Sequence, residues 1–262
     1  LIRKGPAVSD TPEFKRSKVS RSGGTAILSL AGNKVNALDR EVLQEITLFV
    51  EFAVKEPEVD AIVLTGEGSV FSAGVNVTEV LAHEKSYTSE LLLDLETALV
   101  SLFRCPKPTV AAINGSAIAG GCLLACTCDK RLIADEARIG VTELRVGVAF
   151  PAAAVELLRH TCGSRAEQLI FDAGLLTAEE ACQYGLAHRS MPRSEVLAEA
   201  MKEAEKLASL DARAYALAKE AVRRTALAAF GDGRQLLDHQ VHEQWQDDRT
   251  RENLENLLKP KA

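Results

Sequence analysis

Several function classes are missing from this chain at the level of composition. There is no basic excess: 31 Lys and Arg stand against 37 Asp and Glu, a formal net charge of −6. That removes the electrostatic footprint of a nucleic-acid or anionic-lipid binder. No stretch approaches the roughly 20 apolar residues that span a bilayer, so no membrane partner is expected. Residues 1–17 are polar and mixed, without the apolar core of a secretory signal, and read as a flexible N-terminus. No low-complexity linker interrupts the chain. None of the six cysteines falls in a C-x-x-C pair. Cys122, Cys126 and Cys128 lie in an apolar helical run with no histidine nearby, which reads as core packing and gives no metal site. Unpaired thiols point to the cytoplasm, with an organelle matrix as the other reducing compartment.

What is present is an apolar, regularly punctuated chain of 262 residues, 47% of them hydrophobic. That is enough for one large domain, or a domain with a helical appendage. Strand and helix patterns alternate from about residue 25 to 140. Strands are expected at 25–30, 60–66, 109–114 and 130–134, and helices at 40–55, 91–104 and 120–128. This order predicts an α/β fold with parallel strands and crossover helices. After Pro151 the pattern turns helical. Ser164-Arg-Ala-Glu167 and Thr177-Ala-Glu-Glu180 match the capping box, and Gly185 a helix stop. Helices are expected over 194–210, 212–230 and 234–258. Trp245 and its aliphatic neighbours read as helix packing.

The most informative stretch is Ala119-Gly120-Gly121-Cys122-Leu123. It follows the β-branched run Pro108–Asn114 and opens a helix. Free N–H groups at such a start attract an anion, either a phosphate or a carbonyl oxygen that gains charge during reaction.

Five segments in order carry a family resemblance: Asn33–Asp39, Gly66–Asn76, Lys107–Asp129, Arg138–Glu143 and Leu176–Leu186. Together they resemble the crotonase superfamily, the enoyl-CoA hydratase/isomerase family, over roughly residues 18–260. The resemblance implies a spiral of repeated ββα units over 18–192. A C-terminal helical region over 193–262 would serve assembly as a homotrimer or a dimer of trimers. It implies an acyl-CoA thioester as ligand and no cofactor beyond the coenzyme A of that substrate. The oxyanion-hole donors would be the N–H groups of Val75 and Gly120. Asn36, Ala37 and Leu38, with Ser72 and Ala73, would cradle coenzyme A. Lys34 reads equally as a phosphate contact or a solvated loop lysine. Leu123, Phe150 and Pro151 would line the substrate pocket.

Two departures from the family pattern stand out. Asn76 replaces a frequent aspartate, which should alter loop bonding only. Hydratases of this family use two glutamates, and at those positions this chain has Leu123 and Glu143. Leucine cannot hold a water. One carboxylate suffices for a 1,3-proton shift, and the wording around Phe71–Glu79 and Ala119–Leu123 is similar to mitochondrial-type Δ3,Δ2-enoyl-CoA isomerases. Glu143, flanked by Val141, Leu144, Val146, Val148 and Phe150, would be the catalytic residue. Hydration by a relocated acid stays open, with Glu79, Asp94 and Glu96 as candidates. Thioester hydrolysis, decarboxylation and a non-catalytic acyl-CoA binder also stay open.

Overall fold

A computed structural model describes residues 12–231 and 235–259. Most of the N-terminal stretch expected to be flexible, residues 1–11, lies outside the described residues. Its last residue is already strand: β1 (Ser17–Ser22) pairs antiparallel with β2 (Thr25–Leu30). Only Val19 in β1 is apolar, so this edge strand leaves almost no hydrophobic alternation to read.

The chain then repeats a plan. After β2, α1 (Arg40–Lys55) begins at Asp39, whose carboxylate accepts from the Val42 N–H at 3.0 Å. It buries Val42, Leu43, Ile46, Phe49 and Val50, the expected face. There follow β3 (Ala61–Gly66), β4 (Val70–Ser72), α2 (Val77–Ala82) and α3 (Lys85–Arg104). α3 starts six residues before the expected Leu91, because its polar first turns carry no apolar stripe. Next come β5 (Thr109–Ile113), β6 (Ser116–Ile118), α4 (Gly120–Thr127), β7 (Lys130–Ala134) and β8 (Arg138–Gly140). A 3₁₀ turn over Glu143–Val146 leads to α5 (Ala152–Cys162) and α6 (Arg165–Asp172).

The five longer strands and a three-residue one, β10 (Arg189–Met191), form a six-stranded sheet in the order β1-β2-β3-β5-β7-β10, parallel from β2 onward. The other short ones form a second sheet, β4-β6-β8-β9, where β9 is Leu175–Thr177. The pairs β3/β4, β5/β6 and β7/β8 therefore each give one strand to each sheet. That is the ββα spiral expected from the resemblance. The second sheet is not legible in the sequence, since three-residue strands are too short to show a period of two.

β9 leads into α7 (Ala178–Tyr184), where the Thr177 capping box forms as expected: Glu180 N–H donates to Thr177 Oγ1 at 3.2 Å, and Thr177 N–H to Glu180 Oε2 at 2.7 Å. The Ser164 box does not form. Ser164 is already in helical conformation and makes no side-chain cap bond, so its hydroxyl is not placed over the first turn. α8 (Arg193–Ala208) packs Val196, Ala200 and Ala204 on the six-stranded sheet, and α9 (Ala212–Gly231) runs against α5 and α3. The single helix expected over 234–258 is two, α10 (Gln235–Gln246) and α11 (Asp248–Leu258). Asp247 breaks it by accepting from the Thr250 N–H at 2.6 Å. These two helices turn back over α3, α2 and the 3₁₀ turn.

Asp129 fastens α9 to the sheet. Its Oδ2 accepts from Lys219 Nζ at 2.8 Å, Thr109 N–H at 2.8 Å and Tyr215 OH at 2.9 Å; Oδ1 accepts from Arg223 at 2.6 Å. Burial raises the carboxyl pKa, but Lys219 and Arg223 outweigh it and hold Asp129 below the usual carboxylate range. Asp129→Asn would leave two buried cations without their anion. We expect a loss of about 3 kcal/mol in denaturant unfolding at pH 7. The depressed pKa makes this contribution complete above the unfolded carboxylate pKa and lost in more acid solution. The gap between wild type and variant should therefore close below about pH 4.

Candidate active site

Two backbone segments meet at the centre of the molecule. The first is the turn after β4. Ser72 Oγ donates to Asn36 O at 2.7 Å and accepts from the Gly74 N–H at 3.2 Å. Leu38 N–H donates to Gly74 O and Asn76 N–H to Leu38 O, both at 2.8 Å. These two bonds flank Val75 and leave its own N–H out of the pairing. Among the described residues that N–H donates to no protein oxygen. The second segment is the start of α4. Ala119 sits at φ +53°, ψ −122°, a conformation that strains a residue with a Cβ. Gly120, first in the helix, has no acceptor within its own turn.

Glycine makes the meeting possible. Gly74 has φ +83°, and a Cβ there would lie 2.8 Å from Ile118 O and 3.1 Å from Gly120 N. A Cβ on Gly121 would collide with the Ser72 backbone oxygen. The Val75 and Gly120 amides thus lie side by side. Both border a cavity of about 400 Å³.

The cavity wall is mostly apolar, with Leu92, Leu95, Ile118, Leu123, Val148 and Phe150 on it. Glu143 projects from the 3₁₀ turn into this setting. Its Oε2 is buried and has no hydrogen-bond partner. Burial pushes the Glu143 carboxyl up to about 7, against the smaller opposing pull of the Glu143 and Thr142 backbone N–H groups. The other ionisable residue on the wall is Arg145, which is exposed. A cavity bordered by two neighbouring backbone amides and one carboxyl of raised pKa suits reactions that move a proton beside a carbonyl.

The model of the enoyl-CoA hydratase/isomerase family matches residues 21–259. The chain belongs to that family, within the crotonase superfamily. It is 32% identical over 225 residues to a probable mitochondrial enoyl-CoA hydratase of Dictyostelium discoideum, covering 84% of this chain and 80% of that one. It is 30% identical over 205 residues to human mitochondrial enoyl-CoA delta isomerase 1, covering 77% and 68%. The crystal structure of human mitochondrial delta3-delta2-enoyl-CoA isomerase matches with a TM-score of 0.88 at 26% identity, over 93% of this chain and 97% of that one.

Within this enoyl-CoA hydratase/isomerase frame the expected site residues separate into two groups. Val75, Gly120, Glu143, Leu123, Phe150, Pro151 and Ala73 all border the cavity. Asn36, Ala37, Leu38 and Ser72 are buried behind it. Asn36, at φ +50°, donates to Glu67 O at 2.9 Å and Val70 O at 2.8 Å, so its side chain clips the two loops together. The side chains of Asn36, Leu38 and Ser72 are committed to the frame. Lys34 is exposed on the same loop. Asn76 caps α2, accepting from the Glu79 N–H at 3.4 Å.

None of the three candidate second acids borders the cavity. Asp94 accepts from Arg40 at 2.7 Å and Gln44 at 3.0 Å, and Glu79 faces His83 at 3.5 Å. Trp245 packs into the core, as expected. It also lines the cavity, together with Leu254 and Leu257. Its indole N–H donates to Ala149 O at 3.0 Å, and the neighbouring Gln244 Oε1 accepts from Ala149 N–H at 3.0 Å. The fold-back of α10 and α11 brings these residues to the site, and no local pattern announces such a return.

The raised pKa has a consequence for stability. A carboxyl that holds its proton more tightly folded than unfolded stabilises the fold in acid and loses that contribution as pH rises through about 7. Glu143→Gln removes the ionisation. The variant is expected to unfold later than wild type at pH 8, by up to about 3 kcal/mol, with the difference vanishing below about pH 4.

Proposed function

We propose that this protein moves the double bond of a 3-enoyl-CoA into conjugation, giving the 2-enoyl thioester, with Glu143 as the single proton carrier. The observation that carries the reading is that Glu143 is the one carboxylate on the cavity wall among the described residues. Leu123 supports it, standing buried where the resemblance places the first glutamate of a hydratase.

The chemistry follows from the arrangement. The thioester oxygen accepts from the Val75 and Gly120 N–H groups, and the α4 dipole adds positive potential there. Glu143 removes a proton from C2, and the resulting dienolate oxygen is held by the two amides. The same carboxyl, now protonated, returns the proton to C4. A pKa of about 7 suits both halves of that exchange. The apolar wall keeps water from the dienolate and accommodates the acyl chain. The only cofactor chemistry in this reading is the coenzyme A of the substrate. Assembly as a homotrimer or a dimer of trimers belongs to the same proposal, and the exposed Phe171 and Leu217 are apolar surface it would cover.

The test is conversion of 3-hexenoyl-CoA, followed by ultraviolet absorbance of the conjugated thioester. Wild type should convert it. Glu143→Gln should lose about three orders of magnitude in kcat. The rate should climb about tenfold per pH unit below 7 and level off above, since the base form is the active one. Hydration of crotonyl-CoA at a rate rivalling the isomerisation would overturn the one-carboxylate reading.

A further inference from the structure

The turn that carries Glu143 has little packing of its own. None of Glu143–Val146 is fully buried, and Leu144 and Arg145 are exposed. Its internal bonds are short-range: Arg145 N–H to Thr142 O at 3.0 Å, Gly147 N–H to Leu144 O at 3.2 Å and Val148 N–H to Glu143 O at 3.0 Å. Gly147, at φ +70°, ends the turn and adds backbone freedom. A proton carrier needs firmer support, because a displacement of about 1 Å costs about a hundredfold in rate.

That support comes from α10. Gln244 Oε1 accepts from the Ala149 N–H at 3.0 Å, and Gln244 Nε2 donates to Gly147 O. The side-chain amide thus takes the place of a strand neighbour, meeting one N–H and one C=O on the same edge of the backbone. Nε2 also donates to Thr250 Oγ1 at 2.7 Å, and Thr250 is itself buried. Both N–H groups and the oxygen of the amide are engaged, which locks its orientation. The adjacent Trp245 holds Ala149 O. Among the described residues, the long-range hydrogen bonds of residues 143–149 all go to Gln244 and Trp245. Gln244 does not border the cavity, so its influence on a ligand passes through the turn.

We propose that Gln244 is a positioning residue for Glu143, its side-chain amide fixing the turn from which the carboxyl reaches the substrate. The inference rests on the isomerase reading. The charges around Glu143 do not depend on Gln244. Arg145 is the other ionisable group on the cavity wall, and the Cys122 thiol of α4 lies close enough to feel the carboxylate. From α2, α3, α10 and α11 the wall receives Val77, Leu92, Leu95, Trp245, Leu254 and Leu257, all uncharged.

The experiment compares Gln244→Met with wild type. Methionine keeps the length of the side chain and removes its hydrogen bonds. With 3-hexenoyl-CoA, kcat should fall by one to two orders of magnitude while KM stays within about twofold. The pH at which kcat levels off should move to lower values by about one unit, as a looser turn admits water to Glu143. Gln244→Asn, one methylene shorter, should show the same split. A second readout needs no substrate. Glu143→Gln should raise stability at pH 8 in the wild-type background, and by less than half as much when residue 244 is already methionine. Arg251→Met is the control. Arg251 ties α11 to α2 through Val80 O at 3.2 Å and Leu81 O at 3.0 Å, so this variant should melt lower yet keep the wild-type pH profile. An unchanged kcat in Gln244→Met, an undiminished gain at pH 8, or an Arg251→Met that moves both readouts as far would overturn the proposal. A wild type that converts no 3-hexenoyl-CoA would remove the isomerase reading instead, and the unfolding comparison alone would then decide whether Gln244 holds the turn.

Discussion

The site rests on two backbones being allowed to touch. The turn after β4 presses against the first residues of α4, with Gly74 over Gly120 and Gly121 over Ser72. The Val75 and Gly120 amides come close because no side chain separates the segments that carry them. Around that contact, Leu38 bonds both Gly74 and Asn76, Ser72 bonds Asn36, and Asn36 bonds Glu67 and Val70. The buried polar residues of this region serve the contact before they serve any ligand. Ala119 shows the same priority, holding a strained conformation so that the helix opens in the right direction.

Glu143 depends on a different constraint, the exclusion of water. Nothing in its own turn raises its pKa, and the nearest backbone N–H groups act the other way. The shift comes from what is packed around it, and part of that packing belongs to Trp245, Leu254 and Leu257, far along the chain. The acid–base character of the residue is a property of the assembled tertiary structure.

This division explains what the sequence disclosed. The long parallel strands and α1 are legible because their apolar periodicity is complete within one element, and the cap at Asp39 because its effect is local. Gly120 and Glu143 are legible through motif wording and spacing. The second sheet is not, because three-residue strands carry no period. Trp245 is not, because an indole that packs and an indole that walls a cavity look alike along a helix. The Ser164 and Thr177 segments have the same capping wording, yet only Thr177 bonds its helix. What differs is the backbone conformation at the cap, which tertiary context sets.

The return of α10 and α11 over the cavity also orders events in time. During synthesis the sheet, the paired amides and Glu143 are all complete before Gln244 and Trp245 exist to grip Ala149. Until then the cavity lacks the part of its wall that Trp245, Leu254 and Leu257 supply. The last segment of the chain to be made is thus the one that completes the wall around Glu143.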